Sequence, residues 1–156
     1  MKKCFVVLFA LMLLLLSACG GGTVKEEAVV DIDAIATELA GADIFVDELS
    51  EQSKEAAAAV MALNLENVET LKVYLGSGAE AEEWGLFKCT TADAATELVS
   101  QLNDRIEAQM KTYEAYRAEA VPRIKNAILR RQGSYVMYIV ADDYAEAQRI
   151  ADNYFN

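Results

Sequence analysis

Gln132-Gly133-Ser134-Tyr135-Val136-Met137-Tyr138-Ile139-Val140 is a turn followed by six residues that are apolar or aromatic at every position. A strand with one wet face alternates, whereas a run that is apolar almost throughout reads as a strand in the middle of its sheet. Residues 134–141 are therefore expected to form a central strand. Residues 124–131 precede it across Gln132-Gly133, with the glycine supplying the positive φ of a tight hairpin. Asp142 and Asp143 follow and read as the start of a helix, with Glu146 three residues after Asp143 as in a capping box. Ala147, Ile150, Ala151 and Tyr154 form the apolar stripe of that helix.

Upstream, Thr91 is placed to cap the longest helix, and Asp93 suits its positive end. Ala95, Val99, Leu102, Ile106, Met110 and Tyr113 recur every three or four residues and predict an amphipathic helix of six or seven turns. Pro122 marks its outer limit. Leu71, Val73 and Leu75 alternate with Thr70, Lys72 and Tyr74 as a half-buried strand. Gly76-Ser77-Gly78 breaks it, and residues 84–89 form its hairpin mate. Two further helices are expected at the start of the domain. One begins at Asp31, presents Ile32, Ile35, Ala36 and Leu39, and ends at Gly41. The other spans residues 53–63. The fold expectation is α+β: a mainly antiparallel four-stranded sheet from two hairpins, in ββα-ββα order, with helices on one face and two N-terminal helices added.

The N-terminus carries a different kind of signal. Lys2 and Lys3 precede an apolar run at residues 5–16, too short for a bilayer span and the right length for a secretory h-region. Leu16, Ser17, Ala18 and Cys19 follow it. This arrangement resembles the lipobox of bacterial lipoproteins, where the cysteine receives a diacylglyceryl group and becomes the new N-terminus. The resemblance implies a signal peptide at residues 1–18 and lipidation at Cys19. It also implies a lipid anchor on the outer face of the cytoplasmic membrane. Residues 19–30, with Gly20-Gly21-Gly22-Thr23 and Lys25-Glu26-Glu27, read as a flexible polar tether. Residues 31–156 then form a single domain.

Composition narrows the function. The chain carries a net charge of −11, and loss of residues 1–18 removes two lysines and no acid, leaving about −13. An acidic surface argues against nucleic acid as a partner. Beyond Cys19 the one remaining cysteine is Cys89, so the domain is expected to fold on its core without an internal disulfide. Cys89 itself reads as a small buried hydrophobe. The chain contains no histidine, which removes the commonest general base and zinc ligand. No phosphate-binding glycine loop is present, and no Ser-x-x-Lys opens a helix after residue 19. No cofactor, metal or catalytic residue is expected.

Four groups of residues remain as candidates. Glu80, Glu82 and Glu83 offer oxygen ligands for calcium but lack the spacing of a calcium loop, so a solvated hairpin tip is the expectation. Asp142 and Asp143 are explained by helix capping. Arg123, Lys125, Arg130 and Arg131 concentrate positive charge. Arg123, Lys125 and Arg131 share strand parity, which would place them on one sheet face. Such a patch would grip an anionic wall polymer, a phosphate or an acidic partner, or else neutralise neighbouring carboxylates. Seven tyrosines and Trp84 are expected at core and rim, the alternative being a groove for a sugar or peptide.

Residues 78–88, the long helix ending near Tyr113 and Tyr116, and Lys125-Asn126-Ala127 leading to Gly133-Ser134-Tyr135-Val136 are together similar to a bacterial lipoprotein family, domain of unknown function 4358. The likeness runs from about Asp33 to Phe155. It departs at Ala62-Leu63-Asn64-Leu65, where a tyrosine–glycine or similar aromatic turn is expected. The resemblance implies surface attachment in a Gram-positive cell and carries no activity. The functional expectation is a non-enzymatic, membrane-anchored domain that binds an extracellular protein. The alternative is binding of a solute or an anionic wall polymer.

Overall fold

The computed structural model describes residues 29–155. The signal segment, the lipobox residues Leu16, Ser17, Ala18 and Cys19, and the tether up to residue 28 lie outside the described residues. Among the described residues no helix is long and apolar enough to cross a membrane.

The elements run α1 (Ile32–Gly41), β1 (Ser50–Glu51), α2 (Lys54–Met61), β2 (Val68–Leu75), β3 (Glu83–Cys89) and α3 (Ala92–Tyr116). A single 3₁₀ turn (Ala118–Ala120) leads to α4 (Val121–Lys125), β4 (Ile128–Gln132), β5 (Tyr135–Val140) and α5 (Tyr144–Tyr154). The caps form where short polar side chains precede apolar stripes. Asp31, Ser53, Thr91 and Asp143 each accept from the backbone N–H three residues on. Only half of the capping box at α5 is used, because the Glu146 carboxylate turns to Arg149 at 2.7 Å.

All strand pairs are antiparallel, in the order β1-β2-β3-β5-β4. The sheet thus has five strands, not four. Ser50 and Glu51 add a short edge against Leu75 and Tyr74, and two residues are too few for any periodicity to announce. β5 lies between β3 and β4, as its doubly apolar sequence requires. Gly133 takes the positive φ (57°) of a two-residue hairpin, whose central residues are Gly133 and Ser134.

Helices cover both faces of the sheet, not one. Val73, Phe87, Cys89, Val136, Tyr138 and Val140 share a core with Met61 of α2, Leu98 and Leu102 of α3 and Ile124 of α4. Trp84, Leu86, Ile128, Met137 and Ile139 share the opposite core with Ile35 and Leu39 of α1 and Ala147 and Ile150 of α5. Each fully buried leucine or isoleucine in these layers contributes roughly 1.5–3 kcal/mol.

The chain after Pro122 also differs from expectation. Residues 124 and 125 belong to α4, not to a strand, and β4 begins at Ile128. Pro122 sits in the first turn of α4, where its fixed φ and missing N–H are tolerated.

Candidate functional site

The loop joining β2 to β3 carries Glu80 and Glu82 and leads into Glu83, the first residue of β3, and it is not a solvated tip. Glu82 and Glu83 are only 3% and 4% exposed. Adjacent residues at the start of a strand point to opposite faces, so these two carboxylates enter different layers of the protein.

Glu83 faces α3. Arg105 Nε and Nη2 meet its two carboxylate oxygens at 2.7 and 2.5 Å, a fork-to-fork pair. Arg105 Nη1 also donates to the Val60 carbonyl at 3.1 Å, tying α3 to the end of α2. Burial opposes the charge on Arg105, yet its bonds to Glu83 hold its pKa above the ordinary guanidinium value. Tyr138, on β5, donates to Gln109 Oε1 at 3.2 Å. Burial first, and the Glu83 carboxylate second, push its hydroxyl well above the usual phenol range.

Glu82 faces the other way. Its Oε2 accepts from the backbone N–H groups of Val46 and Asp47 at 2.8 and 2.7 Å. Its Oε1 lacks a hydrogen-bond partner among the described residues and lies 3.9 Å from Arg123 Nε. Glu80 bridges two arginines, with Arg117 Nη2 and Arg123 Nη1 each 2.5 Å away. Tyr113 donates to the Gly78 carbonyl at 2.6 Å, and Asp47 accepts from the Ser77 N–H and hydroxyl at 2.7 and 2.6 Å. The loop is therefore fastened to α3, to α4 and to the segment before β1. Among the described residues no three acidic or cysteine side chains gather as metal ligands.

The basic residues singled out in the sequence do not form one sheet-face patch. Arg123 lies on α4 and bonds Glu80 and, at 2.7 Å, Asp142. Lys125 is exposed on the same short helix, and Arg131 is exposed on β4, donating to the Gly133 carbonyl. The strand-parity argument fails because Arg123 and Lys125 are helical. Asp142 accordingly serves as a partner of Arg123, while Asp143 alone caps α5. Cys89 is buried, and that burial raises its thiol pKa, away from the reactive thiolate form.

Beside the clamped loop lies a cleft between α2 and α3. It encloses about 440 Å³ and is lined by Val60, Met61, Gln101, Asp104, Arg105 and Gln109, among others. A second hollow of about 290 Å³ continues it under the β2–β3 loop and shares Val60, Arg105, Gln109 and Tyr113. Val60 (59% exposed) stands at one lip, and Tyr116 (70% exposed) lies one turn beyond Tyr113 on α3. This cleft is invisible to sequence reasoning, because each of its walls reads separately as an ordinary amphipathic helix.

Residues 42–141 match the family model described as Domain of unknown function (DUF4358). The chain belongs to that family. The matched span of this DUF4358 protein begins at the end of α1 and closes just after β5. It contains the clamped loop and its arginines as well as the cleft, while α1 and α5 both fall outside it. It is narrower than the likeness read from the sequence. No curated protein and no solved structure matches the chain.

Proposed function

We propose that this DUF4358 protein is a surface lipoprotein, held through a diacylglyceryl group on Cys19, whose domain binds an extracellular protein through the α2–α3 cleft without catalysing a reaction. The observation that carries the reading is the division of labour around the cleft. Glu83 and Arg105, the buried ionic pair at its floor, are committed to each other, which makes the floor rigid. The lining carries exposed Val60, the amides of Gln101 and Gln109 and the ring of Tyr113, with exposed Tyr116 one helical turn further along α3. Aromatic and apolar anchors around a dry, fixed centre are what protein recognition uses. The polar stretch read as a tether after Cys19 supports presentation of this surface away from the membrane; its last residue, Val30, is already buried in the core with Ile35 and Leu39. Arg123 already holds Glu80 and Asp142, which favours the protein-binding reading over capture of an anionic wall polymer.

The test is site-specific photo-cross-linking in intact cells. A photoreactive residue is placed at Val60 or at Thr112, both lining the cleft, and at Gln148 on α5 as a control. The expected result is one recurrent protein captured from both cleft positions and absent from the control. Capture that is absent, or equal at all three positions, overturns the reading. For the anchor, Cys19→Ala is expected to release the protein from the membrane fraction after export, or to leave it unprocessed. Unchanged processing and unchanged membrane attachment refute lipidation.

A further inference from the structure

The opposite layer carries a second recess, independent of the proposed protein-binding cleft. α1 packs its Ile35 and Leu39 into the core with Trp84 of β3. It leaves the neighbouring strand β2 unroofed at Lys72 and Tyr74. A hollow of about 440 Å³ opens there, walled by Asp33, Ala36, Thr37 and Ala40 of α1. A second hollow of about 250 Å³ adjoins it, lined by Phe45, Leu49, Tyr74 and Trp84 among others. The two share Ala40 and Tyr74, so they form one trough running over the tyrosine ring.

The ring is fixed as a flat platform. Tyr74 stacks on Trp84 with centroids 4.3 Å apart and planes 12° from parallel. Its hydroxyl donates to Glu51 Oε2 at 3.2 Å, and Lys72 Nζ approaches Glu51 Oε1 at 3.4 Å. Burial, and then the bond to Glu51, raise the tyrosine pKa, so the ring stays neutral. Around it stand carboxylates (Asp33, Glu51), an ammonium (Lys72) and a hydroxyl (Thr37). Those groups supply both acceptors and donors at the edge of an apolar floor.

We propose that this trough binds a neutral pyranose chain, one sugar ring lying flat on Tyr74 and its hydroxyls bonded to the groups at the edge. A pyranose presents an apolar C–H face and a girdle of hydroxyls that both donate and accept. The trough presents the complementary pattern. Anionic ligands are disfavoured, because Asp33, Asp47 and Glu48 line the recess and Lys72 is already paired with Glu51. A cationic ligand wants rings facing it from several sides, whereas here the two rings lie against each other and offer a single flat face. The small side chains of Ala36 and Ala40 leave the depth a sugar ring needs.

Trp84 is the sole tryptophan of the chain and lies directly against Tyr74, so its fluorescence reports on the trough. The purified protein is titrated with the β-1,4-linked tetrasaccharide of N-acetylglucosamine, with saturation-transfer NMR as a second readout. A saturable response with half-saturation on the order of 1 mM or tighter is expected. Tyr74→Ala and Ala40→Leu, the latter filling the trough from an exposed helix position, are each expected to weaken binding about tenfold or more. Tyr74→Phe keeps the platform and is expected to stay within about threefold of the parent. Val60→Glu, in the other cleft, is expected to change nothing here while abolishing the cross-link at Thr112, so the two proposals fail separately. Absence of saturable binding by both readouts overturns the proposal, as does binding unaffected by Ala40→Leu in a variant whose circular dichroism matches the parent.

Discussion

Removing the guanidinium from the Glu83–Arg105 pair is the sharpest test of how the clamped loop is held. The two side chains are 5% and 12% exposed, and Arg105 makes two bonds to Glu83 and one to the Val60 carbonyl. Arg105→Met keeps the aliphatic stem packed and deletes all three donors. The Glu83 carboxylate is then left in the core without its counter-charge. Breaking a buried pair from one side costs about 3–5 kcal/mol. A domain of this size has a total stability of about 5–15 kcal/mol, so the variant is expected to lose a large fraction of it. Replacing both partners, Glu83→Leu with Arg105→Met, removes the uncompensated charge. It is expected to recover stability to within about 1–2 kcal/mol of the parent or to exceed it. The assay is urea unfolding followed by Trp84 fluorescence and by circular dichroism, with coincidence of the two transitions checked first. A single variant costing under about 1 kcal/mol would refute the reasoning, because the pair would then be behaving as a solvated surface contact. A double variant as unstable as the single one would refute it too.

Three further predictions rest on separate positions. Ala62 ends α2 at φ 56°, a left-handed conformation that a glycine adopts without strain. Ala62→Gly is therefore expected to raise stability by about 0.5–1 kcal/mol in the same urea assay; a loss would show that the strain is absent. A Cβ on Gly85 would come within 2.6 Å of the buried Phe87 ring, so Gly85→Ala is expected to cost about 1–3 kcal/mol, measured by the same unfolding. Asp47 has its pKa lowered, first by the Ser77 hydroxyl and also by backbone N–H groups at Ser77 and Glu48. A carboxylate with a depressed folded pKa contributes stability above its unfolded value of 3.8 and loses it as pH falls toward the folded value. The parent is thus expected to lose stability across that acid window more steeply than Asp47→Asn, and identical slopes in unfolding at pH 5 and pH 3 would contradict the Asp47–Ser77 contact.

Local chemistry was legible wherever it acts over a few residues. The caps at Asp31, Thr91 and Asp143 form as their spacing implies, because an oxygen three residues before a free N–H is a local contact. The stripe of α3 and the doubly apolar run of β5 likewise follow from periodicity. The same doubly apolar run argues against a sheet covered on one side. A strand cannot bury both parities under helices that sit on one face, and Trp84 and Phe87, on opposite parities, are both buried.

The sequence by itself determined the four longer helices, the two hairpins, the absence of histidine chemistry and the acidic composition, since each of these is a property of composition or of short-range spacing. Only the tertiary structure decided the fate of the acidic loop. Glu82 meets amides 35 and 36 residues away, Glu83 meets Arg105 across 22, and Glu80 meets Arg123 across 43. Charge does not say whether a carboxylate is solvated or paired; that depends on which cation the packing of distant elements brings within reach. The clefts follow the same rule. A recess is the space left between elements, and the trough over Tyr74 exists because α1 leans toward Trp84 and stops short of β2.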